Sequence, residues 1–312
     1  MAQPSNTFDS YDAVGIREDL RDVIYNISPE ETPFLSKCKK TKAANTRHEW
    51  QTDTLRSSAA NAHIEGDATA ADAMSATTRE GNYTQIFKNA VVVPDTDEGL
   101  NKAGRAKEIA YQTMKIAKEQ KLDIERALLL NNASVVGNST TARELGGAGA
   151  WVATNFAGGT GSSAGSSGST AYTAGTARAM TQTIFDGVMQ DIWTAGGNPN
   201  SVYLSPAQMA VALGFTGNNN QRSTIGAADG KVANLVEVYM TPWGTVEFMP
   251  SREVANADVF IMQDDMWEVA ELRPMKNVAL AKTGDNTTRQ ITTELTLVCK
   301  NENANGLIAD CS

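Results

Sequence analysis

The residues that could carry acid–base, nucleophilic or metal chemistry in this chain are few and widely spaced. Among 312 residues there are two histidines, His48 and His63, and three cysteines, Cys38, Cys299 and Cys311. Two histidines cannot build a three-histidine metal site, and the absence of a CxxC pair argues against structural zinc. An odd, sparse set of cysteines argues against a disulfide framework and suits a reducing compartment. The sequence therefore predicts no metal site and no cofactor.

One stretch matches a catalytic motif literally. Residues 161–165, with Ser163 at the centre, have the GxSxG pattern of a nucleophile elbow. That motif needs a buried strand before it, a helix after it and a downstream histidine, whereas here Ser and Gly repeats flank the serine and both histidines lie upstream. Residues 226–231 resemble part of a phosphate-binding loop, but Val232 stands where a hydroxyl residue is required. Neither stretch predicts a site.

Two groups of acidic residues are the remaining candidates for chemistry. Asp264 and Asp265 with Glu268 could hold a cation, although adjacent acids at a strand turn are usually solvated. His48 beside Glu49 could form an acid–base pair, but neighbours on a strand point to opposite faces. The sequence therefore predicts no catalytic residues, and we expect a structural protein rather than an enzyme.

The charge balance narrows the function further. Lys plus Arg number 27 and Asp plus Glu number 36, which gives a net charge of −9. A chain this acidic is a poor general binder of nucleic acid. Its start lacks the features of a signal peptide, and the longest uncharged stretch, 146–177, is not apolar enough to cross a bilayer. We expect a soluble protein without a membrane partner.

The elements that would position any functional residue begin with a helix over 15–27, where apolar residues recur at helical spacing. A short basic run follows, consisting of Lys37, Lys39, Lys40 and Lys42. It has two interpretations, a contact with an acidic neighbour or nucleic acid, or a solvated loop.

Residues 46–93 are unusual because their ends read as strands while the middle has little to bury. Residues 46–55 alternate partly, and residues 83–93 end in a β-branched run. Between 56 and 81, Ile64 and Met74 are the only sizeable apolar residues. Such a ribbon cannot order itself, so it is either a loop or an arm that packs on another surface.

The strongest periodic signal predicts one long helix over about 97–132. Acidic residues cluster at its start, where the helix dipole favours negative charge. A stripe at alternating steps of three and four runs through Ala103, Ala106, Ala110, Met114, Ala117, Lys121, Ile124 and Leu128. At 1.5 Å per residue the helix would span roughly 50 Å. The pattern predicts a spine helix with a small-residue face.

The rest of the chain divides into a low-complexity stretch and a globular region. Residues 139–177 are rich in Gly, Ser, Ala and Thr and predict a loop or flexible insertion. One helix is predicted from about Met180 to near Gly196, and another from Ser205 to about Leu213. Strands are predicted at 201–204, 235–240, 245–249, 259–263 and 267–272, and a long half-buried strand ends at Cys299.

This combination resembles the major capsid proteins of tailed bacteriophages with the Hong Kong 97-like fold, and most closely the SU-ten-like major head proteins. The resemblance is carried by residues 27–34 (ISPEETPF), 48–55 (HEWQTDTL) and 294–304 (ELTLVCKNENA), together with the spine helix. It covers most of the chain outside 139–177. The implied fold class is α+β.

The resemblance implies a domain division and a set of partners. The parts are an N-terminal arm (1–45), an extended loop (46–93), a peripheral domain with the spine helix (94–138 with 272–312), the Gly/Ser-rich insertion (139–177) and an axial domain (178–271). It implies hexamers and pentamers in an icosahedral virion shell around double-stranded DNA, assembled in the host bacterial cytoplasm. A portal protein and a separate scaffolding protein are implied partners, and a decoration protein is left open.

The sequence also offers candidate residues for contacts between subunits and two alternative functions. The candidate subunit-interface residues are Lys37, Lys39, Lys40, Lys42, Trp50, Ile64 and Met74. The alternatives are a non-viral shell-forming compartment protein and, less favoured, a hydrolase with its site in 139–177.

Overall fold

The computed structural model describes residues 31–66, 68, 71, 74–100, 102, 107–215 and 238–312. Its helices are α1 (Pro33–Lys37), α2 (Asp95–Gly99), α3 (Glu108–Leu129), α4 (Ala148–Trp151), α5 (Gln182–Thr194) and α6 (Pro206–Ala212). Its strands are β1 (Lys39–Lys42), β2 (Arg47–Thr52), β3 (Thr78–Tyr83), β4 (Gln85–Pro94), β5 (Phe156–Ala157), β6 (Ser201–Leu204), β7 (Val238–Thr241), β8 (Gly244–Pro250), β9 (Val259–Met262), β10 (Trp267–Ala279), β11 (Asn286–Cys299) and β12 (Gly306–Ile308). The predicted helix over 15–27 and residues 226–232 lie outside the described residues.

A four-stranded sheet with the order β1-β10-β11-β4 forms one half of the subunit. Strands β10, β11 and β4 are antiparallel, and β1 pairs with β10 in parallel. Helix α3 lies on one face, where Gln120 Nε2 donates to the carbonyl of Ile291 at 3.4 Å. Alternate residues of β4 and β11 point to this helix, among them Val91 and Ile291, and are buried.

A six-stranded sheet with the order β5-β12-β9-β6-β8-β7 forms the other half. Helix α5 packs on β12, and α6 packs on β8. Its core includes Phe185, Ile192, Val202, Val246 and Ile261, all completely buried. The predicted helices near 180–196 and after Ser205, and the strand at 201–204, are confirmed within one or two residues at their ends.

The prediction of a single helix over 97–132 is wrong. The chain forms α2, breaks at Leu100 and restarts at Glu108 as a 22-residue helix of about 33 Å. The physical reason is that the Glu98 carboxylate caps α3 instead of lying inside a continuous helix, since it accepts hydrogen bonds from the amides of Glu108 and Ile109 at 3.1 and 3.2 Å.

The predicted stripe on this helix is correct only at its C-terminal end. Ile124 and Leu128 are buried, but Ala110 is exposed and the side chain of Met114 is 65% exposed. Gln120, rather than Lys121, turns inward because its amide reaches Asn89 and a backbone carbonyl of β11. Ala103 and Ala106 lie outside the described residues.

The expectation of a flexible insertion at 139–177 is also wrong. Leu145, Trp151 and Val152 are buried in the core of the four-stranded half. Small residues let the backbone approach other segments closely: a Cβ on Gly147 would lie 2.0 Å from the Leu130 carbonyl oxygen. A Gly-rich composition therefore marks close backbone packing here rather than mobility.

Strand β11 is more buried than the predicted half-buried strand. Both faces are buried from Thr293 to Cys299, because Leu295, Leu297 and Cys299 belong to the core that includes α4, while Val298 on the other face packs with Ala43, Ala270 and Trp50. On that second face Glu294 is paired to two arginines, whereas the buried Thr296 hydroxyl has no hydrogen-bond partner among the described residues. The alternation of apolar and polar residues in β11 predicts which residues share a face, but it does not predict how much of each face other segments cover.

Candidate functional site

The candidates for enzymatic chemistry are not assembled into a site. Ser163 lies in a loop held by backbone hydrogen bonds with Thr173 at 3.1 and 2.8 Å, with no strand–helix elbow around it. The ring of His48 contacts Trp50, while Glu49 bonds Arg79. Within the described ranges, no group of His, Cys, Asp and Glu could hold a metal ion.

The three cysteines are buried and free. Burial raises the pKa of the Cys38 and Cys299 thiols far above their ordinary value, and raises the pKa of Cys311 to about 11. A nucleophilic or metal-binding cysteine requires the thiolate. These thiols are therefore inert core residues.

The basic run pairs with acidic residues of its own chain. Lys39 Nζ lies 3.0 Å from Asp265, and Lys40 Nζ lies 2.8 Å from Glu271. These contacts fix β1 on the edge of β10. Asp265, considered as a cation ligand, is thus an ion-pair partner on the surface.

Lys37 and Lys42 differ in how they are engaged. Lys37 Nζ donates to Glu247 at 2.8 Å and to Ser201 Oγ at 3.1 Å. The exposed Lys42 has no ion-pair partner among the residues that the structure describes. A role of the basic run at a subunit interface stays a prediction.

Strands β2 and β3 pair with each other, from Arg47 opposite Tyr83 to Thr52 opposite Thr78, and form a two-stranded hairpin. Its base is anchored in the subunit. The Asn82 side chain donates to the carbonyl oxygens of Gly146 and Leu297 at 3.0 and 2.8 Å and accepts from the Gly146 amide at 2.8 Å.

Trp50 also lies inside the subunit. It packs against the core, with its ring centroid 5.3 Å from that of Trp151. Its position makes Trp50 an anchor of the hairpin on its own subunit. Its predicted role at a subunit interface stays a prediction.

In the tip of the hairpin, residues 53–77, the large apolar side chains that the structure describes are exposed. The side chains of Leu55, Ile64 and Met74 are 99%, 84% and 95% exposed. The hydrogen bonds within 53–66 are local, such as Thr54 N to Asp53 Oδ1 at 2.9 Å. Ile64 and Met74 are thus apolar groups with nothing of their own chain to cover them.

A buried carboxylate fixes the point where the hairpin joins the sheet. Glu294 is 4% exposed and accepts from Thr84 Oγ1 at 2.9 Å, between β3 and β4. Arg143 and Arg273 donate to its two oxygens at 2.6 and 2.7 Å. The same carboxylate thereby ties the hairpin base, the 135–144 loop and the bulged part of β10.

Around Lys88 and Lys276, none of the described residues covers the face of the four-stranded sheet opposite α3. Cross-strand pairing places Lys88, Thr292 and Lys276 in one row, because Thr292 is opposite both lysines. The side chains of Val92 and Val278, two rows and one row away, are 59% and 42% exposed. We call this surface, which also includes Ile86, Ala90 and Leu280, the open sheet face.

Lys88 and Lys276 on the open sheet face have no ion-pair partners within the described part of the chain. At one end of the face, Ile86 lines a pocket of about 510 Å³ beside the 136–143 loop. The sequence-based expectations did not include this face. The signal was present in the alternation of β4, where Ile86, Lys88, Ala90 and Val92 share one side.

No helix within the described residues has the length and apolarity needed to cross a membrane.

Comparison with known proteins identifies what this arrangement resembles. The model of the SU10 major capsid protein family matches residues 3–312. The major capsid protein of Escherichia phage Phieco32 is 29% identical over 345 residues, which cover 99% of this chain and 97% of that protein. The capsid asymmetric unit of cyanophage A-1(L) superposes with a TM-score of 0.69 at 13% identity, over 97% of this chain and 98% of that one.

The fold is shared beyond viruses. The SrpI encapsulin complex from Synechococcus elongatus matches with a TM-score of 0.53 at 11% identity, over 93% of this chain and 92% of that chain. Likeness at such low identity concerns the fold, and it confirms the predicted α+β, Hong Kong 97-like architecture.

Proposed function

Because the chain belongs to the SU10 major capsid protein family and is a structural major capsid protein of a tailed phage, we propose that it self-assembles as hexamers and pentamers into an icosahedral head shell that encloses the phage DNA. The observation that carries this proposal is the match of the family over residues 3–312. The alternative of a non-viral compartment draws support from the encapsulin likeness, which concerns the fold alone.

The finer domain assignment belongs to the same proposal. Residues 1–45 are the N-terminal arm, 46–93 the extended loop, 94–138 with 272–312 the peripheral domain, and 178–271 the axial domain. Strand β11 of the four-stranded sheet and strands β6 to β9 of the six-stranded sheet agree with the last two assignments, whereas β12 pairs with β9 in the six-stranded sheet and β4 pairs with β11 in the four-stranded sheet. Residues 139–177 join the two halves through buried side chains such as Trp151.

The extended loop is the proposed arm between subunits. Residues 53–77 hold four acidic residues and one arginine, a formal charge of −3. Leu55, Ile64 and Met74 add exposed apolar groups. An ordered loop must offset its conformational entropy by burying surface, and the described residues of its own subunit leave Leu55, Ile64 and Met74 exposed.

The open sheet face of a second subunit is the proposed receiver. It carries the complementary chemistry, since the unpaired Lys88 and Lys276 can meet the acidic residues and the exposed Val92 and Val278 can cover the apolar ones. Each side of the loop holds about 12 residues, so the tip can reach roughly 40 Å from the hairpin. Many copies of one weak contact close a shell through symmetry and avidity.

A charge-reversal experiment tests this contact. The double variant Lys88→Glu/Lys276→Glu should fold with unchanged thermal unfolding, because both lysines are exposed and unpaired, yet it should fail to form shells. Adding Asp53→Lys and Glu65→Lys in the loop should restore assembly. Lys121→Glu on α3, which covers the opposite face, is the matched control and should assemble normally. Sedimentation and electron microscopy report the outcome.

Two results would contradict the proposed contact. The first is normal assembly of the Lys88→Glu/Lys276→Glu variant. The second is a failure of the loop reversal to restore assembly while the control assembles. In either case the loop would meet a different surface, and the shell-forming function would still be tested by the wild-type protein.

The proposed partners follow from the same function. They are other copies of the chain, a portal protein, a separate scaffolding protein and packaged double-stranded DNA without sequence specificity. The net charge of −9 supports the last, because an acidic shell limits adhesion to the genome. Buried free cysteines fit assembly in the reducing cytoplasm of the host bacterium.

A further inference from the structure

Glu125 on α3 is a buried carboxyl group that shell formation as proposed above does not use. The residue is completely buried, with 0% exposure. Its Oε1 accepts a hydrogen bond from the Phe34 amide at 2.9 Å, and its Oε2 accepts one from the Leu35 amide at 2.7 Å. These amides open α1, where a helix leaves its own N–H groups unpaired. Glu125 therefore holds α1 from another element of the fold.

Helix α1 is packed into the core of the subunit. Phe34 is 1% exposed and makes edge-to-face contacts with Tyr203 and Trp267 at centroid distances of 5.3 and 5.9 Å. Directly after α1, Cys38 enters the same core and β1 pairs with β10. Release of α1 would therefore take Phe34 out of this core.

The charges around Glu125 do not balance it. Within the described residues it has no ion-pair partner, since Lys37 of α1 bonds Glu247 and lies 3.6 Å from Asp264. Glu253, from the loop before β9, adds a second negative charge nearby.

Cys38 on the chain after α1 stays neutral, because burial raises the pKa of its thiol, as do the charges of Glu125, Asp264 and Glu268. Burial raises the pKa of Glu125 to about 7, the two backbone hydrogen bonds oppose this rise, and Glu253 adds to it.

We propose that Glu125 is a proton-sensitive latch that docks residues 32–38 on α3. The sign follows from linkage. A carboxyl group with a raised pKa binds its proton more tightly when docked than when released and hydrated. Docking is strongest in acid, weakens as pH rises from about 4.5 to about 7, and is weakest above that range, where the docked state must bury an unpaired charge.

Hydrogen exchange of the 33–43 backbone, followed by mass spectrometry from pH 5 to 8.5, tests the latch in the full chain. After correction for intrinsic exchange, the opening equilibrium should rise about tenfold per pH unit between about 5 and 6.5 and level off above about 7.5. In Glu125→Gln, which cannot ionise, the profile should be flat. A peptide from 286–299 should behave alike in both proteins. Parallel profiles for 33–43 would overturn the proposal.

A second measurement needs no variant. In protein labelled with ¹³C at the glutamate side-chain carboxyl carbon, one resonance should titrate with a midpoint near 7. The absence of any glutamate resonance with a midpoint above about 6 would overturn the proposal even if Glu125→Gln did not fold.

Discussion

Removal of the exposed loop should leave the stability of the isolated subunit nearly unchanged. The variant replaces residues 57–74 by Gly-Ser-Gly-Ser and keeps β2, β3 and their hydrogen-bonded pairs. Among the described residues, the two large apolar side chains that the deletion removes, Ile64 and Met74, are 84% and 95% exposed, so little apolar packing is lost. Shortening the loop from 25 to about 11 residues lowers its closure entropy by about 0.7 kcal/mol in favour of folding. The net change in the free energy of unfolding should stay below about 1 kcal/mol.

Urea and thermal unfolding of the isolated subunit measure this change, and the midpoint temperature should move by less than about 4 °C. Trp50→Ala is the control within the same hairpin. It removes the half-buried ring that stacks on Trp151 and should destabilise the subunit by about 3 kcal/mol. A loss of several kcal/mol in the loop variant would refute the reasoning that the tip lacks intrasubunit contacts. Regular closed shells from the loop variant would refute its role between subunits.

Three further predictions follow from the buried polar groups and the rejected motif. Glu294→Gln should destabilise the subunit by about 2–3 kcal/mol in urea unfolding, because it removes the charge shared by two arginines; a change under about 0.5 kcal/mol would contradict its role as the tie at the hairpin base. Ser163→Ala should leave stability and assembly unchanged, and loss of any hydrolytic activity in that variant would contradict the structural assignment. Burial raises the pKa of Asp258 to about 6, although the hydrogen bond from Tyr172 acts to lower it. The stability of the subunit should therefore fall as pH rises from about 4 to about 6, and Asp258→Asn should lessen that fall. Urea midpoints that fall equally in both proteins would contradict this prediction.

The parts of the fold that could be predicted from the sequence are those with a local signal. Ser205 followed by Pro206 marks a helix start through capping alone, and apolar spacing marks α5. Both strand-like ends of 46–93 are strands, β2 and β4, although β2 pairs with β3 and β4 pairs with β11. In each case the pattern of a few neighbouring residues decided the structure.

The parts that could not be predicted depend on contacts between distant residues. Glu98 caps α3 only because α2 turns back toward it, so the spacing that suggested one helix was compatible with two. The Gly-rich sequence around Gly147 suggests a flexible segment, yet the Gly147 backbone packs closely against the backbone of Leu130, directly after α3. Lys39 and Lys40 of the basic run form ion pairs with carboxylates of their own chain, and the charge pattern within the run does not predict these partners.

The proposed contact between the loop and the open sheet face also has one part that could be predicted from the sequence and one that could not. The exposure of Ile64 and Met74 followed from composition, since nothing around them in sequence is apolar enough to form a core. Lys88 and Lys276 lie on either side of Thr292 because of the register of strands β4, β11 and β10, and the sequence does not specify that register.

Cryo-electron microscopy of particles assembled from the wild-type protein tests the central proposal most directly. The account predicts closed icosahedral shells built from sixfold and fivefold clusters of this chain, with density for residues 53–77 lying on the open sheet face of a neighbouring subunit. Open filaments, or a protein that stays monomeric under all assembly conditions with its scaffolding partner present, would contradict it.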